Sequence, residues 1–163
     1  MGKLELIREN EVVSMYSPLF SGESRTEFHQ FLTANKSLTH PQLKAFFDNI
    51  VAVIRKMDSC GARENLFRPE GGRVKAIPLV ISYRTDKRIG KMRLYCLRLS
   101  DRLLILGNGG VTTKQKYQDD PHMLKAVEDL RQVDRLLKKE VKRQRADWND
   151  FNTIKSIIET ITI

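Results

Sequence analysis

Hydrophobic and polar positions along this chain change their period several times, and each change marks an element. Leu4 and Leu6, then Val12, Val13, Met15 and Tyr16, form short apolar stretches ahead of the turn-rich segment 17–22, which predicts one or two short strands at the start. Ser24 followed three residues later by Glu27 reads as a capping box, opening a helix through Phe28, Phe31 and Leu32 that ends near Asn35. Pro41 then stands at a first-turn position, and Leu43, Phe46, Phe47, Ile50, Val51, Ile54 and Met57 recur at helical spacing until Ser59-Cys60-Gly61, a stop at which glycine can close the helix. At this spacing Phe46 and Phe47 are core residues.

Beyond Gly61 the pattern shifts. Residues 73–84, 91–99 and 102–111 read as three strands, and the tight Ser100-Asp101 connection makes the last two antiparallel neighbours. Their near-continuous apolar run, Leu94 to Leu106, predicts cover on both faces, while Pro78 marks an edge or a bulge. After Asp120-Pro121, Leu124, Val127, Leu130, Val133, Leu137 and Val141 lay one apolar stripe along a long helix. The segment 148–163 carries Phe151, Ile154, Ile157, Ile158, Ile161 and Ile163, first at helical spacing and then alternating. Such an apolar tail has to dock, on its own domain or on a partner. With 163 residues, the expected architecture is a single α+β domain over 1–163. An antiparallel β-meander would be packed by the N-terminal helices and the long C-terminal helix.

Charge changes this picture from a fold to a surface. Residues 61–118 hold 13 Lys and Arg against 4 Asp and Glu, whereas 1–60 balance at 7 and 7 and 119–163 at 9 and 9. The net charge of +9 is therefore concentrated on the segment expected to form the sheet. A sheet bearing Arg73, Lys75, Arg84, Arg93, Arg98, Lys114 and Lys116 favours a polyanion, nucleic acid first. Lys138, Lys139, Lys142, Arg143 and Arg145 thicken the end of the long helix, where they complement its dipole.

Chemistry narrows the reading further. The glycine-rich Gly107-Asn108-Gly109-Gly110 lacks both the phosphate-loop order and the dinucleotide fingerprint, and Asn108-Gly109 reads as a turn with positive φ. His29, His40 and His122 lack metal-ligand spacing, and Cys60 and Cys96 stand singly. No cofactor is expected, and the lone cysteines, with no apolar run of membrane length, point to the reducing cytoplasm. What remains is a constellation of Arg, Lys and Tyr. Such a set can cleave RNA, because the 2′-hydroxyl supplies the nucleophile and the protein need only move protons and stabilise charge. Tyr95, flanked by core residues, reads as buried; Tyr117, in a polar Lys-Gln-Lys-Tyr-Gln context, is the preferred titratable aromatic.

The order of these motifs resembles a family. A helix pair, the turn 61–68, a basic strand, Gly90-Lys91-Met92-Arg93-Leu94-Tyr95-Cys96, then Leu103-Leu104-Ile105-Leu106 leading into Lys114-Gln115-Lys116-Tyr117-Gln118-Asp119-Asp120-Pro121 and a helix is similar to the RelE/HigB-like toxins of bacterial toxin–antitoxin pairs, over roughly residues 25–137. The resemblance implies a metal-independent endoribonuclease that cleaves mRNA, often at the ribosome, and is neutralised by an antitoxin protein. It casts Arg93, Lys116 and Tyr117 as catalytic and Arg73, Lys75, Arg98 and Lys114 as substrate-binding. Two other classes stay open from the residues: a noncatalytic nucleic-acid-binding module on the same basic sheet, and a protein-interaction subunit that dimerises through its tail and long helix.

Overall fold

Two helices lie on each face of a six-stranded mixed sheet in this single α+β domain. The structure, a computed structural model, describes residues 1–82 and 84–163. Strands β1 (Lys3–Glu9) and β2 (Ser14–Leu19) lead into α1 (Glu27–Asn35) and α2 (Pro41–Cys60). Then come β3 (Arg68–Pro69), β4 (Val74–Ile77), β5 (Lys91–Arg98), β6 (Leu103–Thr112), α3 (Pro121–Arg143) and α4 (Phe151–Thr160). The sheet order is β1-β2-β6-β5-β4-β3. Among the described residues no helix is long and apolar enough to cross a membrane.

Strands β3 to β6 follow one another as antiparallel neighbours, and β1 pairs antiparallel with β2. The sheet as a whole is mixed, however, because β2 runs parallel to β6, with Met15 opposite Leu104 and Tyr16 opposite Ile105. A parallel pair needs a long crossover, here one that contains both N-terminal helices and the meander, and short-range turn signals cannot register it. The first meander strand is also shorter than the segment 73–84: β4 stops at Ile77, just before Pro78, whose missing N–H cannot extend the ladder. Tyr83 of that segment lies outside the described residues.

Period-two alternation sorts the strands between two cores. Met92, Leu94, Cys96, Leu104 and Leu106 face α1 and α2, joining Phe31, Ile50 and Met57. Tyr16, Leu97 and Ile105 face α3 and α4, joining Val127, Leu130 and Val133. The helices start and stop where their capping chemistry allows. Thr26 rather than Ser24 caps α1, accepting from His29 N at 3.2 Å. Gly61 closes α2 at φ 80°, and Asp120 caps α3 through His122 N and Met123 N.

The apolar tail folds back onto its own domain. Ile154, Ile157 and Ile158 of α4 are buried in the core shared with α3, Arg102 stacks 3.6 Å over the Phe151 ring, and Thr162 bridges to Lys3. Ile158→Ala is therefore expected to cost about 2–5 kcal/mol in urea unfolding of the isolated protein. A loss under about 0.5 kcal/mol, the scale of a surface change, would mean that this helix is not part of the core.

Candidate nucleic-acid interface

Strand alternation also builds the site. On β5 the residues alternating with the α2-facing ones are Lys91, Arg93 and Tyr95, so Arg93 and Lys91 continue, along one row of the α3 face, from Tyr95, which is buried in the α3-facing core. The adjoining strand β6 reaches this row through an irregular register between Leu94 and Cys96. Asn108-Gly109 is not a turn but the interior of β6, and its glycine is required by close approach: a Cβ at 109 would sit 2.0 Å from the Arg93 carbonyl oxygen. His122 Nε2 lies 2.7 Å from Gly109 O, pinning the start of α3 to this stretch of β6.

Past Thr112 the chain passes over the groove as Lys114-Gln115-Lys116 and turns through a short 3₁₀ segment, Tyr117–Asp119, into α3. The result is a groove of two lobes. One has a volume near 480 Å³ and contains Glu70, Tyr95, Lys116, Tyr117 and Arg131. The other, near 540 Å³, is bordered by Ser82, Thr85 and Lys87. Arg68, Lys91, Arg93 and Lys114 line both and so form the waist between them.

Arg93 is the unusual member. The residue is 2% exposed, its Nη1 donates to the Pro78 carbonyl, and its Nη2 is buried without a partner among the described residues. Burial, with Arg68 nearby as a second cause, pulls its pKa down to about 10. The guanidinium stays protonated at neutral pH, so the groove floor holds a cation with an unused donor. Lys91 is lowered as well, first by burial and then by Arg93 and Arg68. Tyr95 is pushed up by burial and by Glu70, which keeps its phenol neutral.

Tyr117 meets Tyr95 edge to face at 6.2 Å between ring centroids. Its hydroxyl oxygen accepts a 2.8 Å hydrogen bond from Arg131 Nη2, leaving its own proton free to donate. Arg131 is held in place by Glu128, 3.2 Å from its Nη1, and by the Glu70 carbonyl, 3.3 Å from the same Nη2.

No family model, curated protein or solved structure matches this chain. The site therefore rests on its own geometry, which divides the residues named from the sequence. Arg93, Lys114, Lys116 and Tyr117 converge on the groove. Arg73, Lys75 and Arg98 do not line it. Arg73 is bound to Asp134 of α3, with its guanidinium 4.1 Å from the Trp148 ring centroid. Lys75 points to the opposite face, 3.9 Å from Glu64. Arg98 donates to the Ala62 carbonyl at 2.7 Å and pairs with Asp101. These three pin loops and helices to the sheet.

Conversely, Arg68, Glu70, Lys91 and Arg131 line the groove without having been singled out. Lys91 had a usable signal, since it stands two residues before Arg93 on the same strand and so shares its face. Arg68 opens the two-residue strand β3 and Glu70 follows it, and neither carried a signal.

Proposed function

We propose that this protein is an endoribonuclease of the RelE/HigB-like type, cleaving mRNA without a metal. The observation that carries the reading is the unpartnered Nη2 of buried Arg93 at the waist of a groove that Arg68, Lys91 and Lys114 also line. A buried cation with no ion-pair partner is costly, and an anionic ligand that reaches it relieves that cost. Phosphodiester oxygens suit a planar guanidinium.

In the proposed reaction the 2′-hydroxyl attacks the adjacent phosphorus and the 5′-oxygen of the next nucleotide leaves, producing a 2′,3′-cyclic phosphate. Lys91, whose pKa is lowered first by burial and then by Arg93 and Arg68, takes the 2′-proton. Arg93 and Lys114 neutralise the charge that develops on the nonbridging oxygens. Tyr117, whose oxygen is already occupied by Arg131, donates its proton to the leaving oxygen. Lys116 holds the phosphate of the following nucleotide. The resemblance adds a ribosome-bound substrate and a neutralising protein partner to the proposal.

The test is growth and total RNA after induced expression of the wild type and of Arg93→Ala/Lys116→Ala at matched protein level. Arrest with new RNA ends in the wild type alone is the expected outcome. RNA binding that weakens steeply with salt, with no new ends, would reassign the groove to binding alone. Normal growth and intact RNA with no binding would sink both readings.

A further inference from the structure

One lobe of the groove contains a carboxylate, which a phosphate-binding surface does not need. Glu70 lines the lobe that also holds Tyr95 and Tyr117, whereas the other lobe has no acidic residue among its described lining. Its side chain is 14% exposed, and the cation in ion-pair range, Arg68, stands 3.6 Å away, beyond hydrogen-bond reach, with nearly half of its own side chain exposed. The carboxylate oxygens therefore retain acceptor capacity inside a site whose other charged members are positive. Against a phosphate this group is repulsive. Against the edge of a nucleobase it is an acceptor pair.

Resting on the ribonuclease reading, we infer that the aromatic lobe is a guanine pocket in which Glu70 reads the base. Of the four RNA bases, guanine alone presents two adjacent N–H donors, N1–H and N2–H, on its Watson–Crick edge, matching the two acceptor oxygens of one carboxylate. Adenine and cytosine offer one amino donor beside an acceptor nitrogen, which would face the second carboxylate oxygen. Uracil offers one N–H between two carbonyls. Tyr117, partly exposed beside Tyr95, supplies the ring against which the base stacks. The phosphate of the same nucleotide reaches the waist at Arg93. This pocket demands an unpaired base, so the substrate is single-stranded at the site.

Fluorescence anisotropy with the full chain and short 2′-O-methyl oligouridines carrying one variable central base tests the assignment, because the capped 2′-oxygen prevents cleavage. The native protein is expected to bind the guanine oligonucleotide about tenfold more tightly than the adenine, cytosine or uracil ones. Inosine, which lacks only the 2-amino group, is expected to fall to their level. Glu70→Gln and Glu70→Ala are expected to erase the preference while retaining salt-dependent binding. Equal affinity of the native protein for guanine and inosine, or a guanine preference that survives Glu70→Ala, overturns the pocket and leaves RNA binding intact. Failure of every oligonucleotide to bind overturns the pocket and the ribonuclease reading together. Since the native chain supplies its own guanine-to-inosine ratio, a variant that fails to fold does not shelter the inference.

Discussion

Arg93→Met is expected to raise the melting temperature of the free protein while lowering RNA cleavage by about 10²–10³-fold, the scale of losing a positioned charge stabiliser. The two effects have one cause. Arg93 is buried with one guanidinium nitrogen unpartnered, and its folded pKa, about 10, lies below that of the unfolded chain. A base with a depressed folded pKa burdens the folded state at every pH below that value, so the charge is a net cost at pH 7. An unpaired buried ion costs several kcal/mol, whereas the charge-assisted hydrogen bond it makes to Pro78 O returns about 1.5–3 kcal/mol. The desolvation cost is the larger of the two. Methionine fills similar volume without charge, and a net gain of about 1 kcal/mol corresponds to about 2–4 °C in a chain of this size.

Inorganic phosphate should stabilise the native protein more than the variant, because the variant keeps Arg68, Lys91 and Lys114 but loses the buried cation at the waist. Thermal melts at pH 7 with and without phosphate decide the matter. A variant that melts lower than the native protein, or one that phosphate stabilises equally, would show that the buried charge is satisfied in some other way.

Gly109→Ala is expected to destabilise the protein by at least about 3 kcal/mol, the upper range for an added methyl group in a packed interior. The new Cβ would lie 2.0 Å from the Arg93 carbonyl oxygen and 3.0 Å from the Leu94 Cα. Both are backbone atoms of β5, paired with β6, so no side chain can rotate away and the central strands must part. Gly22→Ala is the control. It meets nothing within 4 Å but carries φ 85°, so its cost is the conformational penalty alone, about 1–2 kcal/mol. Comparable urea midpoints for the two variants would refute the close-approach argument. Because the clash lies on Arg93 itself, the 109 variant should also lose RNA affinity out of proportion to its stability, while the 22 variant should not.

The helices were readable because their information is local. The stripe from Leu43 to Met57 and the stripe from Leu124 to Val141 each repeat over several turns, Pro41 and Pro121 open the two helices, and Gly61 closes the first. The tail was equally legible in pattern: its helical part is α4 and its alternating end makes the bridge from Thr162 to Lys3. The glycine-rich stretch was not. Asn-Gly is a strong turn signal, yet at 108–109 the glycine serves the approach of two strands, a demand that becomes visible only once Arg93 of β5 lies opposite Gly110 of β6.

The basic residues divide along the same line. Arg73 and Arg93 are equivalent as letters in a basic sheet. One is pinned by Asp134 and Trp148, 61 and 75 positions further along the chain, while the other is left with an unpartnered nitrogen on the floor of the groove. Lys75 is taken up by Glu64, and Arg98 by the Ala62 carbonyl and by Asp101 three residues on.

By itself, then, the sequence determined the four helices, the limits of α2, the start of α3, the apolar faces and the placing of the excess charge between 61 and 118, since each depends on residues within a few turns or one strand of each other. Tertiary structure decided that β2 lies parallel to β6, which cations are neutralised by partners from distant elements, and that Arg68, Glu70, Lys91, Arg93, Lys114 and Arg131 share one groove. Those outcomes depend on pairings across long stretches of chain. A burial or an ion pair of that kind is a property of two segments together and is written in neither alone.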